Sequence, residues 1–293
     1  MIRKVGFSSP SGAGMVSSIS SAMPKICLAA MLLASTCAFA ITVDQKPSPG
    51  SCGLTEEDSA GLSRNLSVDV YAVREYIDTI SRMLHEENFE LLDCVADHAR
   101  SNKERFPGGM WKLHELYKGL SEPVPNQHAT QEDWKRLLEL LHSWVGAHPK
   151  SITARVALAE ALIDYAWDAR GSGYSDKVSE SGWTLFTQRI AQAQRVLKDA
   201  SEDLPAKCPE WYVGMQNVAQ HENWDVLEMR SLFDEANKFE PGYYYYGRAF
   251  AYFLLPKWSG AAGATEKFVQ EIADHMGGSK ATSSIFRWPA RMI

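Results

Sequence analysis

What the chain lacks narrows what it can be. No Lys/Arg-rich run interrupts its 293 residues, and 30 Lys and Arg stand against 36 Asp and Glu. The first forty positions hold Arg3, Lys4 and Lys25 and no acidic residue, which leaves 27 basic against 36 acidic residues from position 41 onward. Phosphate binding needs clustered positive charge, so nucleic acid and anionic membrane surfaces are excluded as main partners. The five cysteines form no C-x-x-C and share no ligand spacing with histidine, which removes thioredoxin-like and zinc chemistry. His114-Glu115 and His221-Glu222 are not followed by a second histidine one helical turn on. There is no G-x-S-x-G turn, no P-loop and no EF-hand series, so catalytic residues, a metal and a cofactor are not assigned. Gly171-Ser172-Gly173 opens like a dinucleotide fingerprint but lacks the third glycine and follows a helix, so it reads as a helix-ending turn. Period-two runs of β-branched residues with hairpin turns are also missing, which leaves an all-α fold.

The apolar stretches present are short. Residues 26–36 form an apolar run after Lys25, and Ala38-Phe39-Ala40 supplies a small-x-small cleavage pattern, the marks of a secretory signal peptide over residues 1–40. The run falls short of the roughly 20 residues a membrane-spanning helix needs. A periplasmic or secreted product beginning near Ile41 is expected, with no membrane span after cleavage. That product keeps Cys52, Cys94 and Cys208, an odd number. One disulfide plus a free thiol, or three thiols, are both compatible with it.

Positions 41–54, with Pro47, Pro49, Gly50 and Gly53, read as a disordered lead-in; 55–280 as a single all-α domain; and 281–293 as a C-terminal tail. Leu66, Val70, Val73, Ile77, Ile80 and Leu84 alternate steps of four and three, one face of a helix. A second helix is predicted from Phe89 to Ala99, and a third carries Trp111, Leu113, Leu116 and Tyr117 up to Pro123. Thr130, three residues before Asp133, caps an apolar-periodic run that stops at His148-Pro149. Ser151 opens a helix over 152–167, and further helices are predicted at 179–200, 209–221, 226–239, 243–255 and 261–275.

Phe233, Ala236 and Pro241 reproduce the second-helix spacing of a tetratricopeptide repeat. The small residue lets paired helices approach, the aromatic fills the gap between pairs, and the proline ends the helix. The matching first-helix positions fall on Gln216, Asn217 and Gln220 instead of Leu, a small residue and Tyr, so the signal is partial. The expected architecture is a stack of antiparallel helix pairs, a tetratricopeptide-like α-solenoid.

Trp134, Trp144-Val145, Pro149, Ala166-Trp167-Asp168-Ala169-Arg170-Gly171, Pro209-Glu210-Trp211-Tyr212, Tyr243–Tyr246 and Leu254-Leu255-Pro256-Lys257-Trp258-Ser259-Gly260 together resemble a bacterial family labelled only as domain of unknown function 4034. The resemblance covers roughly positions 60 to 280. It implies a helical, tetratricopeptide-like fold and assigns no activity. In such a family the chain after Gly277-Gly278 is expected to run on into a further helix, whereas this one ends at Ile293, so the tail is expected to be a shortened one.

Two polar or aromatic sets stand out as candidates. Asp164 and Asp168 are one helical turn apart, with Trp167 and Arg170 beside them; they could line a small-ligand or catalytic pocket, or be solvated and paired with Arg170. His221, Glu222 and Asp225 form a similar polar turn. Four consecutive tyrosines on a helix cannot all face one core, since successive residues turn by about 100°. One or two of them should reach solvent while most fill the space between helices; in the alternative, Tyr244, Tyr245 and Arg248 are exposed members of a groove, because Tyr and Arg supply binding energy at such surfaces. The leading expectation is a non-enzymatic scaffold for an unidentified protein or peptide. The alternative is an envelope enzyme or small-ligand receptor built on Asp164, Trp167, Asp168 and Arg170.

Overall fold

In the computed structural model, which describes residues 52–63, 70–124, 128–204, 207–222 and 224–275, the chain is helical and no strand occurs among the described residues. The helices are α1 (Glu56–Ser63), α2 (Val70–His85), α3 (Phe89–Asn102), α4 (Lys112–Ser121), α5 (Gln131–Ala147), α6 (Ile152–Arg170), α7 (Glu180–Asp203), α8 (Pro209–His221), α9 (Val226–Phe239), α10 (Tyr245–Phe253) and α11 (Ala264–His275). The signal-peptide segment, most of the lead-in, Leu66 and the tail lie outside the described residues.

Helix ends follow local chemistry. At α5, Thr130 Oγ1 accepts from Asp133 N (3.2 Å) while Asp133 Oδ2 accepts from Thr130 N (2.8 Å), a capping box worth about 1 kcal/mol. Asp225 and Glu228 build the same device at α9, and Ser151 and Ser179 cap α6 and α7. Gly171 ends α6 at φ +72°, a conformation that other residues resist. The predicted turn at Gly171–Gly173 is thus what the structure contains.

The helices sort into two kinds. α5, α7 and α9 bury one stripe each: Trp134, Leu137, Leu141 and Trp144 on α5, or Met229, Leu232, Phe233 and Ala236 on α9. α4, α6 and α8 are buried on most sides. Packing follows the same division. α2, α4, α6, α8 and α10 touch one another in series, and α3, α5, α7 and α9 pack onto that inner row beside their sequence neighbours. The Ala/Leu-rich α6, with eleven of its nineteen residues buried, suits the inner position. Phe233 stacks on Phe250 (5.3 Å between centroids) and meets Phe268 edge-on (5.1 Å), while Ala236 is fully buried.

The N-terminal helix, which periodicity did not reveal, is held by polar contacts. Asp58 pairs with Arg82 at 2.5 Å, and the Lys112 ammonium donates to the Leu62 carbonyl at 3.0 Å. Gly61 abuts Thr79, whose Oγ1 would lie 2.3 Å from a Cβ there. Cys52, inside the segment read as a disordered lead-in, is bonded to Cys94 of α3, with Cα atoms 5.8 Å apart. Cys208 remains a buried thiol beside Tyr117 Oη, 3.2 Å away. Of the two cysteine arrangements left open by the sequence, the first is the one observed.

Candidate functional site

The helices of the inner row each keep a strip that is not buried. Residues one turn apart lie on it: His114 and Lys118 on α4, Glu160 and Asp164 on α6, Asn217 and His221 on α8, Arg248 and Tyr252 on α10.

Glu210, in the first turn of α8, is the anchor. It is almost fully buried, His114 Nδ1 donates to its Oε1 at 2.8 Å, and the Tyr243 hydroxyl donates to Oε2. The His114 ring stacks on Tyr245 at 3.6 Å between centroids, the Tyr244 hydroxyl donates to that of Tyr245 (3.0 Å), and Arg248 lies over the Tyr245 ring. Burial, with Glu210 adding to it, pushes the Tyr243 phenol well above its ordinary range.

Glu160 faces this anchor from α6. Its carboxyl packs over Gly214, where a Cβ would come within 2.9 Å of Oε1, and that oxygen is buried without a hydrogen-bond partner. Burial first, then the charges of Glu210 and Asp164, drive the Glu160 carboxyl well above the carboxylate range. One turn on, Asp164 is exposed to solvent. Desolvation by the protein beside it raises its carboxyl to about 6 against the Ser121 hydroxyl bond that favours the ion; Glu122 adds to the rise and Lys118 opposes it. Lys118 is committed to the buried Glu115 at 3.0 Å.

At the other end the imidazole of His221 sits among Trp167, Phe186 and Trp258, each edge-on at 5.0, 5.0 and 5.7 Å. Burial and the nearby Arg170 lower its pKa to about 4, so it is neutral at ordinary pH. Trp258 closes the box toward Tyr252, with its Nε1 buried and unpaired.

Of the residues singled out in the sequence, Tyr244 and Arg248 are half-exposed, but Tyr245 is buried, which corrects the reading of it as an exposed groove member. The argument that the four rings cannot all be buried holds through Tyr244; because α10 begins only at Tyr245, with Tyr243 and Tyr244 before it in a turn, the other three point inward. Asp164, Trp167, Asp168 and Arg170 do not gather into one pocket. Asp168 accepts from Gln131 Nε2 (3.2 Å) toward α5, Arg170 lies over Trp167 and Trp183 and donates to the carbonyls of Gly171 and Gly173, and Asp164 turns to α4. In the polar turn, His221 fills the aromatic box, Glu222 accepts from Gln194, and Asp225 caps α9.

Glu160 and Glu210 escaped sequence reading. A signal existed for the first, an acidic residue inside the Ala/Leu-rich stretch Ala157–Ile163. For Glu210, in the first turn of α8 as many acidic residues are, there was none. Among the described residues no group of three or more His, Cys, Asp or Glu could hold a metal ion, and no helix is long and apolar enough to cross a membrane. Compared with family models, curated proteins and solved structures, the chain matches none.

Proposed function

We propose that the protein is an exported helical-repeat scaffold of tetratricopeptide-like character that binds a protein or peptide segment along the face formed by α4, α6, α8 and α10. The unpartnered Glu160 oxygen beside Asp164 and Glu210 carries this reading. Carboxyls crowded together and raised in pKa are stabilised by any cation that reaches them, so the segment bound is one bearing Lys or Arg. Tyr244, Arg248 and Tyr252 flank the acidic stretch and supply aromatic and guanidinium contact surface. Export is supported by the apolar run and Ala38-Phe39-Ala40 pattern, and by the Cys52–Cys94 disulfide, a bond that persists in oxidising compartments. Membership of the family resembled above belongs to the same proposal.

Selection of a random peptide library on the immobilised full chain tests it. Enriched peptides should carry Lys or Arg, cross-link to α4, α6, α8 or α10, and lose binding to an Asp164→Lys variant. Peptides without basic residues, or cross-links confined to α5 and α7, would overturn it.

A further inference from the structure

Away from that face, between the ends of α6, α7, α8 and α9, lies a cavity of about 290 Å³. Ile152, Leu204, Trp211 and Tyr212 make its apolar walls, Cys208 and Ser201 adjoin them, and Lys207 and Glu235 stand at the rim. The walls are fixed from outside. Trp211 Nε1 donates to the Leu197 carbonyl (2.7 Å), and the Tyr212 hydroxyl donates to Glu235 Oε1 (2.8 Å). The rim is not. Lys207 and Glu235 are each more than half exposed and 4.0 Å apart, a surface pair of the kind that contributes little by itself.

Size and charge together select a ligand class. The volume is at the lower limit of small-molecule sites, too small for a peptide of several residues. A purely anionic ligand would meet Glu235, and a purely cationic one Lys207. A molecule with both charges one carbon apart and an apolar remainder satisfies each group and buries its hydrocarbon against Ile152, Leu204 and Trp211. We propose that this cavity binds a free apolar α-amino acid, with its carboxylate on Lys207, its ammonium on Glu235 and its side chain within the apolar walls. The site is independent of the peptide-binding face and stands or falls separately from it.

Calorimetric titration of the full chain with L-leucine and L-phenylalanine tests the assignment, with leucinamide (no carboxylate) and 4-methylpentanoate (no ammonium) as controls. Saturable binding of at least one amino acid is expected, with each control weaker by about tenfold or more. Glu235→Gln, which keeps an acceptor for Tyr212, should weaken the amino acid by about tenfold while leaving Tm unchanged. Location is read at Lys207: its acylation by an amine-selective reagent, followed by peptide mass spectrometry, should slow on saturation. No saturation by either amino acid up to about 10 mM, equal binding of 4-methylpentanoate, or unchanged Lys207 acylation would each overturn the proposal.

Discussion

His114 and Glu210 stand 96 positions apart in the chain and 2.8 Å apart in the fold, and their bond joins α4 to α8. Tyr243 closes the same carboxylate from the α10 side. Removing the carboxylate leaves the buried Tyr243 hydroxyl and the half-buried His114 without their partner. Glu210→Ala is therefore expected to lose about 3 kcal/mol in a denaturant titration, and Glu210→Gln, which retains an acceptor, about half of that. Equal losses for the two would mean that packing alone holds this point.

Tyr245 is a core residue stacked on His114, and its neighbour Tyr244 is half-exposed. Truncation of a buried ring costs about 3 kcal/mol, which for a domain of this size lowers Tm by on the order of 10 °C. Tyr245→Ala should show that drop and Tyr244→Ala only a small part of it. The melting temperatures of the two variants, side by side, check the order of burial.

Protons act on this fold in two opposed ways. The native His221 has a pKa of about 4 instead of 6.5, so between those values the unfolded chain binds a proton that the native chain refuses. Its contribution is complete above about 6.5 and is lost as pH falls toward about 4. Asp164 is raised from 3.8 to about 6, so the native chain holds the extra proton; that contribution is complete below 3.8 and is lost as pH rises through about 6. Solvent contact at Asp164 keeps its share to about 1 kcal/mol or less. His221→Leu should thus narrow the gap in Tm between neutral pH and about pH 4.5, and Asp164→Asn should change it little.

The Cys52–Cys94 bond closes a separation of 42 residues. Loop-closure entropy of that size corresponds to about 2–4 kcal/mol. Cys52→Ser, or wild type in a reducing buffer, should lose that amount in a denaturant titration. Cys208→Ser should not mimic it, since its thiol is outside the loop.

Helix ends were legible because their chemistry is local. Thr130 and Asp133 identify the start of α5 within four residues of chain, and Phe233 and Ala236 identify the buried stripe of α9. α1 was not legible: Glu56–Ser63 has no apolar stripe, and it is held by Arg82 and Lys112, which are contributed by other helices. The acidic face was half legible. Asp164 was visible as a carboxylate on α6, but its crowding comes from α4, and Glu160 acquires its character only from Glu210, 50 positions away in sequence and on another helix. The pairing of Asp168 with Arg170 failed because α6 ends between them and the Gly171 turn, whose carbonyls capture the guanidinium.

Lys112 keeps its ammonium on the Leu62 carbonyl, 3.6 Å from Glu104 and covered by α1. An amine-acylating reagent, which modifies exposed lysines such as Lys135 and Lys177 at once, reaches Lys112 only while that helix is lifted. The labelling rate at this one position therefore counts the openings of the N-terminal helix and gives the fold an internal clock for its first step of undocking.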